Sequence, residues 1–260
     1  MKRIAPIGLE MRDVAYAYPG QSGWAINHIN LKFDGGHKVA VVGRNGSGKS
    51  TLLMVAAGLL RPTHGQIFIN GQPVTFDLQG TLALRRLVAT VLVGCDDQIM
   101  DAHSNMRGVT LDLWDSTAAH TRLRDATLGQ RVEQVNELRR MINALLRPRH
   151  ALSLGEQAIA AMQSALRLEA AILILDHAFD VLDRFERNEL LHQLDAFANC
   201  GGLVLLSTHD IAAVCDWASM LLVMAGHEVA MMAPPNCILA DSFLRRVVFG
   251  KDPSERWELH

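Results

Sequence analysis

The glycine-rich stretch Gly43-Arg44-Asn45-Gly46-Ser47-Gly48-Lys49-Ser50-Thr51 is the part of the sequence whose residue types and spacing most clearly predict chemistry. Its glycines allow the backbone to curl so that successive N–H groups surround a phosphate. A helical pattern follows at residues 51–60, and a helix N-terminus favours an anion. We expect Lys49 to reach the β and γ phosphates and the Ser50 hydroxyl to complete the shell of Mg²⁺. The spacing therefore predicts a nucleoside triphosphate site.

The elements around this loop indicate an α/β protein. The apolar run at residues 38–42 predicts a buried strand directly before the loop. In the second half of the chain, helical and strand patterns alternate, with helices at 155–168, 184–197 and 210–217 and strands at 172–176, 203–207 and 220–224. Strands that are separated by helices imply parallel pairing through right-handed crossovers.

The first half of the chain is rich in strand patterns. These patterns lie at residues 9–18, 29–33 and 66–70, and a short apolar run at 88–93 predicts a strand buried on both faces. From Asp96 to about Arg149 polar and charged residues dominate, with helical periodicity at 131–142. We therefore expect a P-loop α/β core with an N-terminal antiparallel β portion and an inserted helical subdomain. The predicted boundaries are 1–240 for the domain, about 96–164 for the subdomain and 241–260 for a C-terminal tail.

Composition excludes several classes of protein. The net charge of the 260-residue chain is −2, and the sequence contains no basic block of the kind that would indicate a nucleic-acid partner. The four cysteines lack the paired spacing of a metal site, which is typical of a reducing compartment. No apolar stretch approaches the roughly 18–20 residues that cross a bilayer. We expect a cytosolic protein that reaches a membrane only through another subunit.

Four further stretches narrow the class. Leu152-Ser153-Leu154-Gly155-Glu156-Gln157 precedes the strand 172–176, which ends in Asp176, and Asp180-Val181-Leu182-Asp183 and Leu206-Ser207-Thr208-His209-Asp210 follow. In order and spacing they resemble the signature sequence, Walker B strand, D-loop and switch segment of ATP-binding cassette (ABC) proteins. The resemblance extends over residues 8–235.

This resemblance implies a role for each matching residue. Two cassettes close head to tail, so that each ATP lies between the phosphate loop of one and the signature of the other. The implied ATP contacts are Tyr18, which stacks on adenine, and Gly43, Asn45, Gly46, Ser47, Gly48, Lys49, Ser50 and Thr51. The implied signature contacts to a partner's ATP are Ser153, Leu154, Gly155, Glu156 and Gln157. Asp176 and Ser50 would hold Mg²⁺, Asp183 belongs to the D-loop, and His177 and His209 occupy the catalytic positions, with His209 at the γ-phosphate.

Two positions depart from the family pattern. A glutamate that polarises the attacking water normally follows the Walker B aspartate, and here that position is His177. An imidazole could accept a proton, but it is shorter than glutamate, and loss of a positioned base typically costs about 10²–10⁴-fold in rate. The Q-loop glutamine is also missing, because the alignment places Val93 there, and valine can neither ligate Mg²⁺ nor orient water. We expect a weak or inactive hydrolytic site.

The segment Asp96-Asp97-Gln98-Ile99-Met100 resembles one found in cobalt-type and energy-coupling-factor transporter ATPases, where it helps to form the surface that meets the transmembrane subunit. On that alignment Gln98 does not replace the missing ligand. The resemblance implies an ABC-type ATPase at the cytoplasmic face of the membrane, bound to a second ATPase subunit and a transmembrane subunit. The hypothesis is that it is the hydrolysis-impaired half of a heterodimeric pair, in an importer of a metal or vitamin. The alternatives are a soluble ABC ATPase outside transport and a non-hydrolysing ATP-sensing module.

Overall fold

The computed structural model describes residue 4 and residues 7–92, 154–167 and 170–240. Ten strands are described: β1 (Gly8–Tyr16), β2 (Ile26–Asp34), β3 (Lys38–Gly43), β4 (His64–Ile69), β5 (Gln72–Pro73), β6 (Val88–Leu92), β7 (Ile172–Asp176), β8 (Leu203–Ser207), β9 (Met220–Ala225) and β10 (Glu228–Ala233). The described helices are α1 (Lys49–Ala56), α2 (Leu78–Leu87), α3 (Leu154–Arg167), α4 (Arg184–Asn199), α5 (Ile211–Cys215) and α6 (Pro235–Ala240). None of these helices is long and apolar enough to cross a membrane.

The strand-rich first part of the chain forms a four-stranded antiparallel sheet in the order β2-β1-β4-β5. The predicted turn at Asn70-Gly71 joins β4 to β5, and both residues have positive φ, 51° and 75°, as this kind of tight hairpin requires. The antiparallel β portion is therefore confirmed. The strands β1, β4 and β2 begin one, two and three residues earlier, respectively, than the sequence pattern predicts.

The second sheet has six strands in the order β10-β9-β3-β8-β7-β6. All neighbours are parallel except β10, which pairs antiparallel with β9. Every residue of β7 and β8 is buried, because one face of the sheet packs with α1 and the antiparallel sheet and the other packs with α4. Coverage of both faces explains why these strands are continuous apolar runs.

This topology brings the carboxyl ends of β3, β8 and β7 side by side, because these strands are neighbours in the sheet. In open α/β sheets, ligands bind at the carboxyl ends of parallel strands. The phosphate loop follows β3, Asp176 ends β7 and Ser207 ends β8. The fold therefore gathers three separate motifs at one edge.

Most predicted elements are confirmed, with changes at their ends. The strands at 172–176 and 203–207 are as predicted, whereas the helix predicted at 210–217 is only Ile211–Cys215. The helix α3 runs past residue 164, where the predicted subdomain ends. No sequence pattern predicted α2, α6, β5 or β10. Val93, Gln98, Ser153, the helical pattern at 131–142 and the tail at 241–260 lie outside the described residues, and the domain boundaries stay predictions.

Candidate functional site at the phosphate loop

The backbone of the phosphate loop depends on its glycines. Gly48 immediately precedes α1 and has φ of 100°, a left-handed conformation that side chains strongly disfavour. A Cβ atom there would also lie 2.6 Å from the carbonyl oxygen of Ala25. Gly43, at the other end of the loop, has φ of 151° and lies against the carbonyl of Met224. Both positions therefore require glycine, and together they direct the loop onto the N-terminus of α1.

Lys49 lies at the start of α1 with only 5% of its surface exposed. Its Nζ donates hydrogen bonds to two carbonyl oxygens of the loop, Gly43 O at 2.9 Å and Arg44 O at 3.1 Å. Burial lowers the pKa of Lys49, while the negative charges of Asp176 and Asp180 act in the opposite direction. The ammonium group is thus held inside the loop, where an incoming phosphate would be its natural counter-ion.

Asp176 is fully buried at the end of β7. Its Oδ1 accepts a hydrogen bond of 2.5 Å from the Ser207 hydroxyl. No group among the described residues hydrogen-bonds its Oδ2, which is buried, and buried carboxylate oxygens are rarely left unsatisfied. A divalent cation would satisfy this atom, since Mg²⁺ prefers carboxylate oxygen. The residues present therefore fit Mg²⁺.

Ser47, within the loop, supports the same interpretation. Its Oγ is buried, and none of the residues that the structure describes pairs with it. A hydroxyl donor left unsatisfied in a loop whose other donors are backbone N–H groups is suited to a phosphate oxygen. Asn45 and Gly46, in the same loop, are exposed.

His177 follows Asp176 and has a positive φ of 54°. Its backbone N–H donates to Ser207 Oγ at 3.0 Å, and its Nδ1 lies 3.1 Å from Asp180 Oδ2. The hydrogen bond with Asp180 is the main cause of a raised pKa for His177, which burial opposes. The structure thus places His177 at the site and directs its ring toward a carboxylate of its own chain.

His209 follows β8, and its ring centroid lies 5.2 Å from that of His177. Burial lowers the pKa of His209, and the charge of Lys49 lowers it further. The two predicted catalytic positions, on different strands, are therefore brought together beside the phosphate loop. The predicted contact of His209 with a γ-phosphate stays a prediction.

Asp180 connects the two histidines. Its Oδ1 accepts a hydrogen bond of 2.6 Å from Thr208 Oγ1 and one of 3.3 Å from the backbone N–H of His209. Burial alone would raise the pKa of Asp180, but the hydrogen bonds from His177, Thr208 and His209 outweigh it, and the pKa is lowered. The carboxylate therefore stays charged and fixes the D-loop to the switch segment.

Arg187 on α4 stabilises the D-loop and the residue before it through hydrogen bonds to their carbonyl oxygens. Its Nε donates to the carbonyl oxygens of Phe179 and Leu182 at 3.1 and 3.0 Å, and its Nη1 donates to Asp210 Oδ2 at 2.9 Å. The Arg187 guanidinium is thus a second connection between the D-loop and the switch segment, in addition to the hydrogen bonds of Asp180.

The signature helix α3 packs on the D-loop. A Cβ atom on Gly155 would lie 3.1 Å from the carbonyl oxygen of Val181, so that position has little room for a larger residue. Asp183 ends the D-loop as the N-cap of α4, in a reciprocal capping box with Glu186. Ser153 precedes the described helix, and Leu154, Glu156 and Gln157 are described through their backbone as part of it. Their contact with a partner's ATP stays a prediction.

Tyr18 lies next to the phosphate-loop helix. Its hydroxyl is 3.1 Å from Thr51 Oγ1, and its ring packs edge-on against Tyr16 with centroids 5.0 Å apart. The structure therefore places Tyr18 beside the first turn of α1, and stacking on adenine stays a prediction. Ser50, the other predicted Mg²⁺ ligand, is half-buried in the first turn of α1.

Sequence reasoning missed the connecting roles of Ser207, Asp180 and Arg187. All three belong to or adjoin motifs that were recognised, but their partners lie on other elements. The signal for Ser207 is strand register: Leu175 of β7 pairs with Leu206 of β8, so the next residues, Asp176 and Ser207, meet.

The chain is similar to known proteins in both sequence and structure. The family model described as ABC transporter matches residues 26–180, more than half of the chain. A putative ABC transporter ATP-binding protein of Methanosarcina mazei is 30% identical over 95% of this chain and 53% of its own length. An energy-coupling factor transporter ATP-binding protein of Methanospirillum hungatei is 30% identical over 94% of this chain and 60% of its own length. The chain thus spans between half and two thirds of these two relatives.

A solved structure has the same fold. CbiO1 of Clostridium perfringens, described as part of the ABC transporter complex cbiONQ, is 24% identical and superimposes with a TM-score of 0.64, over 95% of this chain and 96% of that one. The chain belongs to the ABC transporter family. Both the predicted family and the predicted P-loop ABC-type fold are therefore confirmed.

Proposed function

We propose that this protein is the ATP-binding subunit of an ABC-type membrane transporter and that it couples ATP binding and hydrolysis to transport. The observation that carries the proposal is that two buried residues lie at one edge of the sheet: Lys49 in the phosphate loop, and Asp176, whose Oδ2 has no partner among the described residues. The Lys49 ammonium group would bind the triphosphate, and the Asp176 carboxylate would bind the Mg²⁺ that accompanies the triphosphate. Family membership supports the same activity.

Each residue around the nucleotide has a defined task in this proposal. Lys49 and the N–H groups of residues 43–51 would bind the phosphates, Tyr18 would stack on adenine, and His209 would orient the γ-phosphate. Asp176 and Ser50 would hold Mg²⁺, which when bound neutralises phosphate charge. Ser207 positions Asp176 for this task by occupying Oδ1 and leaving Oδ2 open.

The site is completed by a second ATPase subunit, either another copy or a homologue. Residues 153–157 and Asp183 would complete the site of that partner, because the phosphate loop of one cassette meets the signature of the other. The contact of Gly155 with the D-loop supports this, since it makes the signature and the D-loop one unit. ATP closes the dimer because it contacts both subunits only in the closed form, and this difference in affinity would move a transmembrane partner.

We further propose that hydrolysis at this chain's own site is slow and that the chain is the impaired half of a heterodimer. The Nδ1 of His177 lies 3.1 Å from Asp180 Oδ2, so one nitrogen of the ring is already engaged within the chain, and imidazole is shorter than the usual glutamate. The partner would then supply an intact glutamate, and this chain would supply the signature. The resemblance of the Gln98 segment supports an importer of a metal ion or vitamin.

Purification of the chain alone and together with its partner ATPase tests this proposal. We expect both preparations to bind ATP and only the pair to hydrolyse it rapidly. Rapid turnover by the isolated chain would contradict the impaired-half proposal, and absence of ATP binding would contradict the whole assignment.

A second experiment tests the location at the cytoplasmic face of a membrane. Co-purification of the chain with a polytopic membrane protein supports the transporter subunit. Its absence favours a soluble ABC ATPase, and ATP binding without turnover even in the pair favours an ATP-sensing module.

A further inference from the structure

A group of three side chains beside the phosphate loop has the donor atoms of a metal-binding site. ATP binding makes no use of this capacity. His177, Asp180 and His209 each offer one metal-ligating atom, and these atoms all lie within 4.8 Å of one another. His177 and Asp180 lie in the segment after β7, and His209 follows β8. The three are therefore brought together by the pairing of two neighbouring strands.

We propose that His177, Asp180 and His209 form a binding site for a divalent transition-metal ion of the Zn²⁺ type. Two imidazoles and one carboxylate are a donor set that favours Zn²⁺ and its neighbours over Mg²⁺. Three protein ligands with a fourth position left open to solvent or substrate are also the usual arrangement of an accessible zinc site.

The distances suit such an ion. Zinc bound tetrahedrally at about 2.0–2.1 Å from nitrogen places its ligand atoms about 3.3 Å apart. His177 Nδ1 and Asp180 Oδ2 are 3.1 Å apart, so this pair already has the required spacing. His209 is exposed, and its ligating nitrogen lies within 4.8 Å of both other ligand atoms, so it has to move closer to them to complete the set.

Neighbouring groups hold the ligands in place before an ion binds. Asp180 uses its other oxygen, Oδ1, to accept hydrogen bonds from Thr208 Oγ1 and the His209 N–H, which leaves Oδ2 facing His177. The backbone of His177 is fixed by its hydrogen bond to Ser207 Oγ. Such supporting contacts orient ligands and raise affinity in metal sites.

This site is separate from the one proposed for Mg²⁺. Asp176 and Ser50 offer only oxygen atoms, which suit Mg²⁺, whereas His177 and His209 offer nitrogen. An ion bound to the three side chains would tie the D-loop to the switch segment and engage His209. It would therefore compete with the role of His209 at a γ-phosphate and inhibit hydrolysis.

The test is a titration of the full chain with Zn²⁺ and with Co²⁺, after treatment with a chelator and without nucleotide. Calorimetry gives affinity and stoichiometry, and the visible absorption of Co²⁺ reports tetrahedral nitrogen and oxygen ligands. We expect one ion per chain. His177→Gln, Asp180→Asn and His209→Gln should each weaken binding at least about tenfold.

A matched control comes from the antiparallel sheet. His28 Nδ1 and His64 Nε2 lie 2.7 and 3.3 Å from different carboxylate oxygens of Asp13. This group therefore has the same residue types, but its ligand atoms do not converge as those of His177, Asp180 and His209 do. His28→Gln should leave the affinity unchanged. Binding that all three site variants retain, binding that His28→Gln abolishes, or no stoichiometric binding would each overturn the proposal.

Separate controls show whether a variant has lost its fold and whether the result depends on the proposed function. Circular dichroism of each variant shows whether it folds, and His209→Gln, at an exposed position, gives a readout if Asp180→Asn does not fold. Because no nucleotide is present, the result does not depend on whether the chain is a transporter ATPase.

Discussion

Ser207 and Asp176 form the central contact of the site: the Ser207 hydroxyl donates a 2.5 Å hydrogen bond to Asp176 Oδ1, and both residues are fully buried. The same hydroxyl oxygen accepts the N–H of His177. One side chain on β8 thus fixes the orientation of the carboxylate and the backbone of the next residue. Ser207 therefore holds both the proposed Mg²⁺ ligand and the proposed catalytic position, each through one hydrogen bond.

Replacement of Ser207 by alanine should therefore destabilise the fold. It leaves Asp176 Oδ1 buried without a partner, and an unsatisfied buried acceptor costs about 1–3 kcal/mol. Chemical denaturation measures the change in free energy of unfolding. Ser22→Ala, at an exposed position, is the control and should have no effect. Equal stability of the Ser207 and Ser22 variants would show that the contact has no energetic role.

Lys49→Ala should weaken ATP binding. Hydrogen bonds to a charged group contribute about 1.5–3 kcal/mol, which corresponds to roughly ten- to hundredfold in affinity. Calorimetry with Mg²⁺ and ATP measures this, and Lys32→Ala, on the exposed side of β2, is the control. An unchanged affinity in the Lys49 variant would place the nucleotide elsewhere on the chain.

Lys49, Asp176 and His209 were predictable because each belongs to a short motif with a fixed spacing. The parallel sheet was predictable for a related reason, since strands buried on both faces are continuous apolar runs. Contacts between motifs, such as Asp180 with Thr208, depend on strand register and loop conformation, which no local pattern encodes. The strand β10 was missed because it lies at the sheet edge, where half-exposed residues alternate and the hairpin turn at Gly226-His227 has no strong signal.

Arg187→Ala should destabilise the D-loop. The substitution removes two hydrogen bonds to the carbonyl oxygens of Phe179 and Leu182 and the ion pair with Asp210. We expect a loss of about 1–3 kcal/mol, measured by thermal or chemical unfolding, and little effect from Arg184→Ala at an exposed position. Arg187→Lys should recover only part of the loss, because an ammonium group cannot reproduce the fork of donors. Full recovery by lysine would mean that charge alone matters.

The imidazole of His28 should titrate above its ordinary pKa near 6.5. Its hydrogen bond to Asp13 is the main cause of the raised pKa, with a small contribution from Glu228. Because the folded-state pKa is raised, the contribution of this pair to stability is complete below the unfolded value and is lost as the pH rises through the folded value. An NMR titration of the ring protons checks this. Asp13→Asn should lower the pKa of His28, and Glu10→Gln should not.

The most direct test of the account is the rate of ATP hydrolysis at this chain's own site. This rate is measured in a pair with a partner ATPase whose own catalytic glutamate is replaced by glutamine, and compared with the rate of the same pair carrying His177→Glu. The account predicts slow turnover in the pair with the natural chain and a rise of at least about tenfold in the variant, since a positioned base is typically worth about 10²–10⁴-fold. Lys49→Ala in the same variant should abolish the gain, which assigns it to this site. Rapid turnover by the pair with the natural chain, unchanged or slowed by His177→Glu, would contradict the account.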